Sequence, residues 1–430
     1  MSTLRVAGGQ VLRPDMTVER ADVLLDRAAG EIVAVGDVGG GDETLDAAGG
    51  LVIPGLVNAH THVAMTLLRG YADDKPLDAW LREDVWPVEA ELTAADVRAG
   101  TELGLVELIR SGTTSFADMY FFEPTVADAV EQSGLRARLG HGVVAAGKDE
   151  AEARADFEEG LAVARDLDGA AGGRIRTAVC PHSLTTVGED LLAEFVPQAR
   201  DLGVPLHFHA NETHDEVAPF TADGRRPLAY ADDLGMLADG DFLAHGVHLD
   251  ETEIDLLAER GTAVVHCPAS NMKLASGMAP VQRLLDAGVT VGLGTDGAAS
   301  NNDLDMFDEL RDAAMIGKLA ADDASAVAAP AAVRMATEGG ARALGFDAGR
   351  IEAGAAADLA VVDLATPHLT PPHDLVSHLA YAARGADVRH TVCDGDVLLR
   401  DGEVLPFDAD RVRAAATERA ESLVARAEAK

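Results

Sequence analysis

At 430 residues with 47% hydrophobic content, the chain is long enough to bury a large core and, by length alone, to hold two or three domains. Its 73 acidic residues against 35 basic ones leave a net charge of -38, which argues against a nucleic-acid partner. No run approaches the about 20 apolar residues that cross a bilayer, so no membrane association is expected.

The N-terminus "MSTLRVAGGQVLRPD" lacks the charged-then-apolar pattern of a secretory signal, and a cytoplasmic protein is expected. Only five of the basic residues are lysine, and acids are scattered between apolar positions throughout. That composition suits a high-salt cytoplasm, where screening weakens self-repulsion. The three cysteines, Cys180, Cys267 and Cys393, are far apart and odd in number, which supports neither a disulfide framework nor a paired-cysteine zinc knuckle.

Residues 1–55 contain short alternating stretches, "LRVAGGQVL", "ADVLLD" and "EIVAVG", broken by glycine-rich turns such as "GDVGGGDE". They predict the N-terminal part of a small antiparallel β unit. From residue 56 the rhythm changes. Apolar strand candidates "GLVNAH", "GTTSFADM", "RARLGHGVV", "RIRTAVCPH", "VPLHFHA", "DFLAHGVHL", "TAVVHCPAS" and "TVGLGTD" alternate with amphipathic stretches such as "AADVRAGTELGLVELIRSG" and "DETEIDLLAERG". Eight strands alternating with helices predict a (β/α)8 TIM-type barrel over residues 56–345. Residues 346–430 return to hairpin rhythm, with "DG" turn signals at 394–395 and 401–402, and end in a helix. The simplest account joins both chain ends in one β-sandwich beside the barrel.

In a parallel barrel, chemistry gathers at the C-terminal ends of the strands. His60 and His62 end the first strand, and residues i and i+2 share a face. The fifth strand offers His207, His209 and Glu212; the sixth, His245 and His248; the eighth, Asp296. His207 and His209 share a face, so spacing leaves open whether one or both bind a metal. Each residue also has a plainer role, such as a histidine bonded to backbone carbonyls or an aspartate capping the next helix. As a set, two histidines on one strand, another on the fifth and an aspartate on the eighth supply three nitrogens and one oxygen with room for water. Such an open site suits a catalytic divalent ion. Residues 149–272 contain no lysine, which removes the usual bridging carboxylated lysine of binuclear barrels, and one metal is expected.

Those residues, in that order, resemble the amidohydrolase superfamily. The segments "PGLVNAHTHVAMTLLRGYADD", "LHFHANETHDE", "PASNMKLASGMAPVQRLLDAGVTVGLGTDGAASNNDLDMF" and "IEAGAAADLAVVDL" resemble the methylthioadenosine/S-adenosylhomocysteine deaminases of its deaminase and chlorohydrolase branch. The resemblance implies metal ligands His60, His62, His209 and Asp296, holding one divalent ion per subunit, with zinc expected. His207 then packs behind the site. It implies catalytic roles for Glu212, His245 and Asp296, with Glu212 moving a proton to and from the purine. Glu89, in "WPVEAEL", and His182, in "VCPHS", match substrate-binding positions, with Glu89 accepting from ribose hydroxyls. Trp80, Trp86, Met65 and Leu68 either roof the pocket or belong to the core. The implied reaction is hydrolytic deamination of an adenosine-type nucleoside by a homo-oligomer, a dimer or tetramer. The alternative is action on another heterocycle, as in a guanine deaminase or a chlorohydrolase. Where some relatives have an arginine after the third strand, this chain has His141, so a weaker grip on the carboxylate tail of S-adenosylhomocysteine is expected.

Overall fold

The computed structural model describes residues 2–430. Parallel strands need crossover connections of a dozen residues or more, and the helical stretches supply them. Eight barrel strands result: Leu56–Thr61, Thr113–Tyr120, Arg136–Val143, Ile175–Thr177 continued by Cys180–Pro181, His207–Ala210, Phe242–His245, Ala263–His266 and Val291–Leu293. The first four pair in sequence order, as do the last four. Bridges Val179–Leu206 and Ser183–His209 join the fourth strand to the fifth.

Closure between the eighth and first strands is made partly by polar groups. The Asp296 N–H donates to the His60 carbonyl at 3.0 Å. The Asn58 amide donates to Thr295 Oγ1 at 2.7 Å and accepts from the Thr295 N–H at 2.9 Å. Gly294 permits this approach, because a Cβ there would lie 2.8 Å from the His60 backbone nitrogen.

The barrel strands are buried throughout, as expected where helices cover the outer face. Ala59, Ala117, Met119, Ala178 and Val265 pack in one buried apolar cluster with Phe242, Ala341 and Leu344. The outer helices start and stop on local signals. Helix Ala94–Arg110 opens with a reciprocal cap between Thr93 and Asp96. Helix Glu251–Arg260 opens on Asp250 and Glu253, and ends at Gly261 with φ +73°.

The chain ends form two sheets. One has the order Glu31–Gly36, Asp22–Asp26, Thr3–Ala7, Glu43–Asp46. The other runs Glu403–Val404, Asp396–Arg400, Val388–Cys393, Leu359–Asp363, Gly50–Pro54, Gln10–Leu12, Val18–Arg20. N- and C-terminal segments meet where Gly50–Pro54 pairs antiparallel with Leu359–Asp363. The N-terminal unit is not wholly antiparallel as expected: Thr3–Ala7 pairs parallel with Glu43–Asp46, and Gln10–Leu12 with Gly50–Pro54. Both pairs have enough chain between them to return in the same direction, which alternation alone does not reveal. The two "DG" turns have positive φ at both residues, +55° and +79° at 394–395, +48° and +80° at 401–402. That backbone matches the twist of the flanking strands. All three cysteines are free and buried, and no helix among the described residues is long and apolar enough to cross a membrane.

Candidate active site

At the C-terminal mouth of the barrel, four imidazoles are tethered through Nδ1. His62 Nδ1 donates to the Met119 carbonyl at 2.6 Å, and His209 Nδ1 to the His182 carbonyl at 2.8 Å. His245 Nδ1 lies 2.9 Å from Asn271 Oδ1, and His60 Nδ1 lies 2.8 Å from His207 Nε2. Carbonyl oxygens only accept, so Nδ1 of His62, His209 and His245 carries a proton, and Nε2 of each is the atom turned inward.

Asp296 meets them from the eighth strand. Its Oδ2 accepts from Ser270 Oγ and Ser300 Oγ, each at 2.7 Å. Its Oδ1 is left to face His62 Nε2 at 3.2 Å and His60 Nε2 at 3.4 Å. Donor atoms of His60, His209, His245 and Asp296 all lie within 4.8 Å of one another. His245 and Asp296 both have positive φ, +75° and +62°, a backbone that non-glycine residues adopt when held there by their surroundings.

The donor set fits a divalent cation. His60 Nε2 is fully buried and has no hydrogen-bond partner among the described residues, an expensive arrangement unless a Lewis acid takes the lone pair. Burial brings His60 down to about 4. Burial and the neighbouring imidazoles hold His209 well below the usual histidine range, so both are neutral, as ligation requires. Burial also opposes charge on His62, but Asp296 carries it up to about 9. Burial disfavours the Asp296 carboxylate too, yet His60 and His62 hold it well below the usual range.

A pocket opens above this cluster. Its polar wall carries Glu89, His182, Glu212 and Glu216, and its apolar wall Leu77, Trp80, Leu81, Trp86, Phe121 and Val144. Glu212 sits beside the donors, with Oε2 3.7 Å from His245 Nε2 and Oε1 3.4 Å from Ser276 Oγ. Burial raises the Glu212 carboxyl, partly offset by His245. For His245, burial favours the neutral ring, but the charges of Glu212 and Asp296 win and raise it. Glu89, which closes the short helix Trp86–Glu89, accepts from the Tyr120 hydroxyl at 2.7 Å. Burial pushes its carboxyl up to about 7. His182 stands against the His209 ring at 4.6 Å.

Residues 51–398 match the family described as the Amidohydrolase family. The chain belongs to that family. This amidohydrolase is 70% identical over 429 residues to a 5-methylthioadenosine/S-adenosylhomocysteine deaminase of Natronomonas pharaonis, covering 100% of both chains. It is 46% identical over 389 residues to a 5'-deoxyadenosine deaminase of Methanothermobacter thermautotrophicus, covering 90% of this chain and 91% of that one. Among solved structures it resembles an adenosine deaminase from Xanthomonas campestris with bound zinc, with a TM-score of 0.92, 38% identity and 99% of each chain covered.

The site residues named from the amidohydrolase's sequence meet at this mouth: His60, His209, His245 and Asp296 form the group of mutually close donors, His62 reaches Asp296 Oδ1 from beside it, and Glu89, His182 and Glu212 line the pocket. Met65, Trp80 and Trp86 line the pocket, while Leu68 is core. His248 stands outside the cluster, donating through Nε2 to the Ser276 carbonyl at 2.7 Å.

One expectation is corrected. His141 does not line the pocket. On the third strand it is Gly142 that lines the pocket, and successive side chains point to opposite faces. His141 therefore turns outward, where its Nε2 meets Asp156 Oδ1 at 3.0 Å.

Sequence reasoning missed Glu216, which lines the pocket and accepts from the Glu212 N–H at 2.7 Å. Burial and the neighbouring Glu212 charge push its carboxyl up to about 7. Its signal, "T-x-x-E" from Thr213, reads as an ordinary helix start. Ser270, Ser300 and Tyr120 were also missed: Ser270 and Tyr120 support carboxylates 26 and 31 residues away, and Ser300, four residues from Asp296, looks like an ordinary turn residue.

Proposed function

We propose that this amidohydrolase hydrolyses the C6–amino bond of adenosine-type nucleosides, giving the inosine analogue and ammonia. The observation that carries the reading is the placement of one buried carboxyl, Glu212, beside the inward-facing donors at the floor of the pocket. A proton carrier next to a water-activating centre is what hydrolytic deamination needs.

His60, His62, His209 and Asp296 would hold the ion, and zinc suits their three imidazoles and one carboxylate. A divalent cation in such a site lets a coordinated water lose a proton near neutral pH. The chain's own groups do the rest. Glu212, its carboxyl raised by burial, donates to N1 as water adds to C6 and takes back the proton of the C6 hydroxyl as the carbonyl forms. Asp296, aimed by two serine hydroxyls, accepts the water's proton and returns it to the departing amine. His245, its charge favoured by Glu212 and Asp296, stabilises the developing oxyanion. Glu89 accepts from the ribose hydroxyls, and His182 contacts the nucleoside across the pocket.

The 5' end of the nucleoside would meet the apolar wall. No lysine or arginine lines the pocket among the described residues, while Glu89, Glu212 and Glu216 do. An uncharged 5'-methylthio or 5'-deoxy group fits this wall better than an amino-acid tail, whose carboxylate would lack a cationic partner. The test is an ammonia-release screen of the zinc-loaded protein in molar salt. Methylthioadenosine, 5'-deoxyadenosine, adenosine, S-adenosylhomocysteine and guanine would be compared, with ultraviolet spectra following adenine to hypoxanthine. Turnover of guanine alone, or of no adenosine derivative, refutes the proposal.

A further inference from the structure

His207 lies behind the cluster, on the fifth barrel strand two residues before His209. It is 1% exposed, and its ring stacks on Phe242 at 4.1 Å. Its Nδ1 is 3.0 Å from the Phe242 carbonyl oxygen. A carbonyl cannot donate, so that nitrogen carries the proton. A neutral imidazole has only one N–H, which leaves Nε2 of His207 as an acceptor. The atom facing it, at 2.8 Å, is His60 Nδ1, which must then be the donor. His60 Nε2 is left unprotonated, fully buried, without a hydrogen-bond partner among the described residues and directed toward Asp296 Oδ1 at the ion-binding centre. The chain of polarity runs from a backbone carbonyl through two imidazoles to one lone pair.

We propose that His207 is a positioning residue that fixes the tautomer and aim of His60, so that the site's most buried ligand is presented ready for the ion. His207 is not itself a ligand, because both of its nitrogens are engaged. His62 and His209 use backbone carbonyls for the same purpose. A second imidazole is needed only at His60, whose Nδ1 faces another side chain rather than a carbonyl. Partners of this kind set metal affinity through ligand basicity and orientation, typically by 10- to 100-fold.

The inference rests on the reading of His60 as a metal ligand, and the experiment separates the two. In zinc-loaded protein labelled with nitrogen-15 in histidine, His207 should show a protonated Nδ1 and an unprotonated Nε2. Zinc affinity is measured by competition with a chromophoric chelator for the parent, His207→Leu and His207→Gln. The leucine variant should bind about 10- to 100-fold more weakly, and the glutamine variant, whose amide oxygen can accept from His60, should recover most of the loss. A protonated His207 Nε2, or unchanged zinc affinity in a folded His207→Leu protein, overturns the inference and leaves the metal site intact. If the leucine variant does not fold, the nitrogen spectrum of the parent decides alone. A parent that binds no divalent ion overturns both readings.

Discussion

Glu89 offers a quantitative test. Its carboxylate is half-buried in the pocket wall, with one oxygen engaged by Tyr120 at 2.7 Å. In the proposed function the other accepts from a ribose hydroxyl. A hydrogen bond to a charged group contributes about 1.5–3 kcal/mol, or roughly 10- to 150-fold in kcat/KM. Glu89→Ala should lose that much with adenosine or 5'-deoxyadenosine, and slightly more if the Tyr120 hydroxyl is left unpaired. Glu89→Gln keeps an acceptor for Tyr120 and should lose less. The same residue predicts a pH effect. Burial raises its carboxyl to about 7, so its protonated fraction falls, and kcat/KM rises, as pH increases through about 7 in the parent; this step should vanish in Glu89→Gln. The assay is the ultraviolet change on deamination, with 2',3'-dideoxyadenosine, which lacks both hydroxyls, as control. The dideoxy substrate should react poorly with the parent and lose nothing further in Glu89→Ala. Equal losses for both substrates in that variant would refute the ribose contact and assign Glu89 to structural support of Tyr120.

Glu212→Gln should keep its metal, measured by elemental analysis, and lower kcat by about 10²–10⁴, the usual size of a general acid–base contribution; near-parent turnover would exclude Glu212 as the proton carrier. Chelation should lower the melting temperature reversibly, since an ion held at 100 times its Kd stabilises by about 2.7 kcal/mol, and zinc should restore it in a calorimeter. Val144→Arg puts a cation into a pocket wall that has none and should raise kcat/KM for S-adenosylhomocysteine relative to 5'-deoxyadenosine in side-by-side assays. Gly294→Ala would place a methyl group 2.8 Å from the His60 backbone nitrogen, prising the eighth strand from the first, and is expected to cost both thermal stability and zinc affinity.

Much of the site was legible because its signals are local. Strand period two puts His60 and His62 on one face, the spacing of "HANE" sets Glu212 beside His209, and the "DG" pairs mark turns with positive φ. The barrel could be read from its rhythm of apolar strands and capped helices, since the strands are buried on both faces and the helices begin and end on short-range hydrogen bonds. Local pattern also misleads. His141 is correctly placed on a strand, but which face of that strand meets the pocket is settled by closure of the barrel, and here Gly142 faces inward. His207 and His209 are equivalent by spacing. Only the approach of the first strand gives one of them a histidine to orient and the other a place at the centre. Glu216 looks like an ordinary first-turn helix residue, and its backbone N–H does donate to the Thr213 cap, yet its carboxylate turns back to the Glu212 N–H and lines the pocket. The sequence by itself determined the inventory of chemical groups, the order of the elements and the turns between them, because these depend on neighbours a few residues away. Tertiary structure alone decided which nitrogen of each histidine faces the centre of the mouth, that Ser270 reaches Asp296 and which wall lacks a cation. Those facts depend on contacts between strands separated by up to 237 residues, as between Asn58 and Thr295.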